Sequence, residues 1–267
     1  MTVRVTLVGV TGWVGRELVK AIESAGDLSL VAAVSRSGAG KDAAEAAGLA
    51  ANGVTIAGTL QEALATPSDV VIDYTKPDVV KGHTLAALAA NRHVVIGTSG
   101  LAEGDFAEID AQALRSSRGV LAAGNFSITA TLMSRFALEA ARYVPDVEII
   151  DYAGPKKVDT PSGTARELAE LLGPVRMPAT SKPVEDLSGL RETRGGRVGD
   201  PNGVQIHSVR MPSFVLSCEV LLSAESERLS IRHDSGTSAA PYVAGTLLAA
   251  KRVSSFIGLK RGLSAVM

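Results

Sequence analysis

Cysteine is almost missing from this chain. Cys218 is the only one in 267 residues, which excludes an internal disulfide and a cysteine-rich zinc site. It stands in the apolar run Phe214 to Leu222, which reads as a strand, and a core thiol is expected rather than a nucleophile. An excess of one charge is also missing. The formal net charge is −1, so bulk electrostatics give no basis for nucleic-acid or membrane-surface binding, and any anion site must be local. No apolar run reaches the roughly 20 residues that span a bilayer. The first residues lead into a strand rather than a signal-peptide pattern, and a cytoplasmic location is expected. Aromatics make up only 4% of the chain, against 46% hydrophobic residues with abundant glycine and alanine, an α/β composition.

The length suits one large domain or two small ones, and the pattern divides at about residue 128. Val3 to Val8 is a β-branched run. It ends at Gly9-Val10-Thr11-Gly12-Trp13-Val14-Gly15, and Arg16 to Ile22 continues as helix. Strand, glycine loop and helix in that order form a dinucleotide-binding fingerprint: Gly9 turns the chain, Gly12 admits the pyrophosphate, and Gly15 lets helix and strand pack closely. The second strand, Leu28 to Val34, ends at Ser35-Arg36-Ser37 where an NAD-preferring fold carries a carboxylate. Serine does not repel a 2′-phosphate and Arg36 binds one, which favours NADPH, with NADH still possible. Later strand ends, Tyr74-Thr75-Lys76, Gly97-Thr98-Ser99 and Ala123-Gly124-Asn125-Phe126, fall on the carboxyl edge of a parallel sheet, where such folds bind ligands. Residues 1–127 are therefore read as the dinucleotide-binding domain, 128–238 as a substrate-binding and oligomerisation domain, and 239–267 as helices returning to the first. A polar, glycine-rich connection from Gly189 to Gly203 is expected to move and close over a ligand.

The chemistry is placed in the stretch Asp151 to Ala165, which brings Lys156 and Lys157 to a turn that opens a helix. Amides at a helix start are unpaired and carry partial positive charge. Ser162, Gly163 and Thr164 there make a cradle for a carboxylate or phosphate, and the lysines add full charge. The competing reading is an ordinary helix cap with solvated lysines.

Taken together, the glycine loop, Ile72-Asp73-Tyr74-Thr75-Lys76-Pro77, Ile96-Gly97-Thr98-Ser99-Gly100, Asn125-Phe126-Ser127, Lys157 to Ala165 and Ile206-His207-Ser208-Val209-Arg210 resemble the dihydrodipicolinate reductase family over nearly the full length. The resemblance implies an α/β fold with an N-terminal Rossmann domain and an α+β substrate domain built on an open mixed sheet. It also implies a homotetramer joined through those sheets, in the diaminopimelate–lysine pathway. The reaction would be hydride transfer from NADPH or NADH to a cyclic imine-type carboxylate, with the domains closing on it. Gly97, Thr98 and Ala123 to Phe126 would line the nicotinamide, and Gly9, Gly12, Trp13, Val14, Gly15 and Arg36 the rest of the cofactor. Lys157, Ser162, Gly163 and Thr164 would hold a substrate carboxylate. No metal is implied.

Two departures stand out. Where the family has two adjacent histidines, one regarded as the general acid, this chain has Ala153 and Gly154, neither of which donates a proton. Trp13-Val14 replaces arginine and methionine in the glycine loop. Lys156, Lys157 and Tyr152 are the nearby candidates for a substitute acid, with water as a further one, and the leading expectation is a weakened or redirected reductase. Two alternatives remain open: a non-catalytic NADPH-binding sensor, and a semialdehyde dehydrogenase, whose glycine loop is similar but which needs an exposed cysteine nucleophile.

Overall fold

In the computed structural model, residues 2–157, 159–180, 182, 184–189 and 194–267 are described, and the chain divides into two units, Met1–Ile128 with Ser238–Met267, and Thr129–Thr237. The first unit takes its shape from short apolar strands alternating with helices. In order these are β1 (Val3–Val8), α1 (Trp13–Ser24), β2 (Leu28–Val34), α2 (Ala43–Ala46), β3 (Ile56–Ala57), α3 (Leu60–Ala63), β4 (Val70–Asp73), α4 (Pro77–Ala89), β5 (His93–Ile96), α5 (Glu103–Ser116) and β6 (Gly119–Ala122).

The second unit supplies α6 (Ile128–Ala140, which begins at the boundary), β7 (Asp146–Ala153), α7 (Gly163–Leu172), β8 (Gly195–Val198), β9 (Val204–Arg210), β10 (Leu216–Ala224) and β11 (Glu227–Ser235). The chain then returns to the first unit as α8 (Ala240–Arg252) and β12 (Gly258–Arg261).

The first sheet is parallel throughout, in the order β12-β6-β5-β4-β1-β2-β3. Its central strands are buried on both faces, which is why they read as unbroken apolar runs. Val5, Leu7, Val70 and Ile72 face one cluster with Leu18, Ile22 and Ala249, while Val8, Val71 and Val94 face the other with Val80, Leu88 and Ile109. Strand order reverses between β1 and β4, so the connections leaving them part and leave a crevice at their carboxyl ends. Two strands lie outside the sequence expectation. β3 has only two residues, and β12 has two exposed residues and no apolar alternation.

The second unit is a five-stranded mixed sheet, β11-β10-β7-β9-β8, with β7 parallel to β9 and antiparallel to β10. One face is apolar: Val147, Ile149, Ile206, Val220 and Leu222 pack with Met133 and Ala137 of α6 and Leu168 and Leu172 of α7. The expected mobile connection needs correction. Residues 190–193 lie outside the described residues, but Gly195–Val198 is a strand antiparallel to β9. A Cβ on Gly195 would sit 2.2 Å from the Ile206 carbonyl oxygen, so the glycine there serves close strand approach.

Candidate functional site

In the first unit a groove of about 600 Å³ opens at the β1/β4 switch point. Gly9, Thr11, Gly12, Ser35, Arg36, Ser37, Gly58, Thr59, Tyr74, Thr75, Lys76 and His83 are among its lining residues. Gly9 has φ +88°, and a Cβ there would lie 2.5 Å from the Tyr74 carbonyl oxygen. Helix α1 starts at Gly12 with no side-chain cap and no acidic residue in its first turn, so its opening amides meet no built-in acceptor. This arrangement fits a pyrophosphate. Thr11 and Ser35 hydroxyls are 2.7 Å apart, and Ser35 lies 3.3 Å from the Ser37 hydroxyl. Arg36 therefore stands among hydroxyls rather than carboxylates at the end of β2.

The other residues expected at the cofactor do not all line this groove. Gly15 is buried under the loop, where a Cβ would approach the Gly9 carbonyl oxygen to 2.2 Å. Val14 packs against the first unit's core. Trp13 is 56% exposed and meets Tyr242 edge-on at 5.9 Å. Gly97 lies beneath the Tyr74 ring, and the Tyr74 hydroxyl donates to Thr246 Oγ1 at 2.7 Å, since that threonine donates onward to the Tyr242 carbonyl. Thr98 reaches the Asp73 carbonyl at 3.5 Å, and Ser99 follows it in an unstructured turn. Asn125 Oδ1 accepts the Ser127 amide at 2.8 Å, while Ala123 and Phe126 are buried and Gly124 is exposed.

Sequence reasoning missed Asp73 and His83. Asp73 is buried, accepts the Thr75 amide and hydroxyl, and lies 2.8 Å from His83 Nδ1, which holds the imidazole at the groove wall. The only signal was a carboxylate ending an otherwise apolar strand. Gly58, Thr59 and Gln61 were missed because β3, which leads to them, is too short to show a pattern.

In the second unit, a buried ion pair underlies the lysine turn. Asp151 Oδ2 accepts from Arg210 Nη2 at 2.9 Å, from the Ser162 amide at 2.9 Å and from the Ser208 hydroxyl at 3.2 Å. Arg210 also donates to the Asp159 carbonyl at 2.7 Å, so the pair ties the turn to the sheet at two points, Asp159 through the guanidinium and Ser162 through the carboxylate. Ser162 accepts from the Ala165 amide and caps α7. Its amide is thus spent on Asp151 and its hydroxyl oxygen on the helix start, while the hydroxyl proton stays available to a ligand. Gly163 is the first residue of α7, and among the described residues nothing beyond its own turn of chain lies within 4 Å of where its Cβ would be. Thr164 follows it.

Lys157 Nζ lies 2.8 Å from Asp159 Oδ1. Burial, the largest influence, pushes the Asp159 carboxyl up, but the Lys157 hydrogen bond and charge, a backbone hydrogen bond and the Arg210 charge together leave the group below its usual value. Lys156 is exposed, and Val158 lies outside the described residues.

The three candidate proton donors separate here. β7 alternates, so Asp151 and Ala153 face the helices and Tyr152 faces away from them. The Tyr152 hydroxyl donates to Glu219 at 3.3 Å beneath the Arg232 guanidinium, and burial followed by Glu219 raises its pKa. It is held away from the lysine turn. Ala153 is fully buried.

Cys218 is 4% exposed, and burial pushes its thiol up to about 12, with Asp151 and Glu219 adding to the shift. Native-state alkylation at pH 8 is expected to run about a thousandfold slower than for a free thiol, because only thiolate reacts. Iodoacetamide labelling of native and urea-unfolded protein checks this, and fast labelling of the native chain would reopen the cysteine-nucleophile reading.

The same division into two halves appears in known proteins. The family model "Dihydrodipicolinate reductase, N-terminus" matches residues 3–126, and "Dihydrodipicolinate reductase, C-terminus" matches 129–263. A 4-hydroxy-tetrahydrodipicolinate reductase of Desulfitobacterium hafniense is 38% identical over 263 residues, 98% of this chain and 97% of that one. Its counterpart in Syntrophomonas wolfei is 37% identical, covering 94% and 93%. Among solved structures, a dipicolinate-bound dihydrodipicolinate reductase from Paenisporosarcina sp. TG-14 superposes with a TM-score of 0.82 at 30% identity over the whole of both chains. With a nucleotide-type groove in one unit, a lysine turn on a buried ion pair in the other, and matches that span both, the chain belongs to the dihydrodipicolinate reductase family.

Proposed function

We propose that this chain reduces 4-hydroxy-tetrahydrodipicolinate, or a closely related cyclic imine-type carboxylate, with NADPH preferred over NADH. The family's reaction is NAD(P)H-dependent reduction in the lysine and diaminopimelate pathway. The observation that carries the reading is the turn from Gly154 to Ser162, held at Asp159 by Arg210 and at Ser162 by Asp151, with Lys157 and the opening of α7 on it. Such a turn suits one carboxylate: Lys157 supplies charge, Gly163 and Thr164 supply helix-start amides, and Asp159 aligns the lysine. When bound, the nicotinamide supplies the hydride. Gly9, Gly12 and the α1 amides would hold its pyrophosphate, and Arg36 with Ser35 and Ser37 the 2′-phosphate.

Proton delivery distinguishes this member. With alanine and glycine at the histidine positions and Tyr152 held by Glu219, Lys156 is the remaining side chain on the turn without an ion-pair partner among the described residues. We assign it the proton, with Lys157 as carboxylate anchor, in a homotetramer built through the second unit's sheets.

The test is NADPH oxidation with the family substrate generated in situ by its synthase. Slow turnover is expected. Lys156→Ala should lower kcat about a hundredfold at unchanged KM, as loss of a general acid does, while Lys157→Ala should raise KM. Unchanged kcat in Lys156→Ala would remove it from the mechanism. No turnover with intact NADPH binding would favour the sensor reading, which the missing histidines also support. Arg36→Ala should weaken NADPH about ten- to a hundredfold, the worth of charge-assisted bonds to a phosphate, and leave NADH unchanged. Equal losses for both cofactors would place Arg36 elsewhere than at the 2′-phosphate.

A further inference from the structure

We propose that the amino-terminal edge of the first unit's parallel sheet, opposite the cofactor groove, is a binding site for a small doubly charged oxyanion, a phosphate or a dicarboxylate. A cavity of about 490 Å³ lies there, where β1, β4, β5 and β6 begin and α8 ends. Arg4, Asp69, Arg92, His93, Arg118 and Ser254 are among its lining residues.

Its charges do not balance internally. Among the described lining residues the one carboxylate, Asp69, is held by Arg4, which donates from Nη2 at 2.7 Å, from Nε at 3.2 Å and from its amide at 2.8 Å, and it feels the Arg92 charge more weakly. Nearby Asp27 is paired with Lys251 at 2.6 Å. Among the described residues, Arg92 and Arg118 have no carboxylate within ion-pair distance. Two guanidinium charges therefore remain over the cavity.

The donors are also unspent. Arg92 Nε is buried and has no hydrogen-bond partner, a costly state for a charged donor. Arg118 gives Nε to the Asn91 carbonyl at 3.0 Å and Nη1 to the Ser117 carbonyl at 3.1 Å, which leaves Nη2. His93 Nδ1 accepts the Gly119 amide at 2.9 Å, so the ring proton sits on Nε2 as a third donor. Burial first and then the Arg118 charge hold that imidazole below its usual pKa, with Asp69 opposing them.

A purely structural account is that the arginines neutralise nearby carbonyl ends of helices. It explains Arg118 Nε and Nη1. It leaves Arg92 Nε without an acceptor among the described residues, and Arg118 Nη2 and His93 Nε2 with water alone, and a forked oxyanion in the cavity suits the half-buried Arg92, His93 and Arg118 together.

The test uses the full-length chain with saturating NADPH, so that the cofactor groove is filled, in chloride buffer at fixed ionic strength. Calorimetric titration with inorganic phosphate and with succinate reads the site. At least one is expected to bind, and the tighter one names the ligand class. Arg92→Gln and Arg118→Gln should each weaken it about tenfold or more, with NADPH affinity within about twofold of the native chain as the check on folding. Binding that is absent at millimolar anion, or equal in the native chain and both glutamine variants, overturns the proposal. A crystal of the native chain grown with tungstate gives a second reading independent of the variants: density against Arg92 supports the site, and an empty cavity overturns it.

Discussion

Replacing Asp151 by alanine is expected to destabilise the second unit by about 3–5 kcal/mol, the usual cost of leaving one member of a buried ion pair behind. Both side chains are almost wholly out of solvent, 5% exposed for Arg210 and 2% for Asp151. The carboxylate also receives the Ser162 amide and the Ser208 hydroxyl, so one substitution strips three donors of their acceptor. Arg210 Nε already lacks a partner, and removal of the carboxylate would leave that guanidinium with carbonyls alone. Urea unfolding followed by far-UV circular dichroism measures the loss. The double variant Asp151→Ala/Arg210→Met should be less destabilised than Asp151→Ala, since no orphan charge remains. A double variant as unstable as the sum of the singles would show that the pair matters only through packing. Because this pair ties down the lysine turn, the single variant should also lose turnover before it loses global structure, and NADPH binding in the other unit should persist.

The second large effect belongs to the cofactor loop. Gly15→Val should lower NADPH affinity about a hundredfold, some 2.7 kcal/mol, and cost about 1–3 kcal/mol of stability as overpacking does. A Cβ at this position would lie 2.2 Å from the Gly9 carbonyl oxygen and 2.8 Å from that of Val10, and both are backbone atoms that cannot rotate aside. The start of α1 must then lift away from the strand end, which takes the helix-start amides away from the pyrophosphate. Fluorescence titration with NADPH checks it. Gly82→Ala is the matched control: it sits inside α4 with nothing within 4 Å of its Cβ, and should be neutral or stabilising by up to about 1 kcal/mol. Similar NADPH affinities in the two variants would mean that the close contact at Gly15 does not position the cofactor.

Much of the first unit was legible in advance because its signals are local. A buried parallel strand must be apolar on both faces, and a turn that brings a helix onto a strand must be glycine, so β1, β2, β4 and β5 and the loop between Gly9 and Gly15 announce themselves within a few residues. β3 and β12 do not, since two residues, or four at an exposed sheet edge, carry no period. Gly195 shows the opposite failure. A glycine-rich segment looked like a loop and is a strand, because its glycine answers to the Ile206 carbonyl across the sheet rather than to its own neighbours.

By itself the sequence determined the fold class, the nucleotide loop, the lysine turn and the absence of the paired histidines, all of which are properties of residues close together in the chain. Only the tertiary structure decided how those residues are held. Strand pairing carries Arg210 beneath a turn about 50 positions earlier, alternation on β7 sends Tyr152 away from that turn, and α7 claims Ser162 as its cap. At the far edge of the first sheet, the starts of β1, β5 and β6 collect Arg4, Arg92, His93 and Arg118 around one cavity from positions up to 114 apart. Hydrogen bonds and charge act over a few ångströms of space without regard to chain separation, so neither the anchored turn nor the cationic cavity exists until the chain has folded.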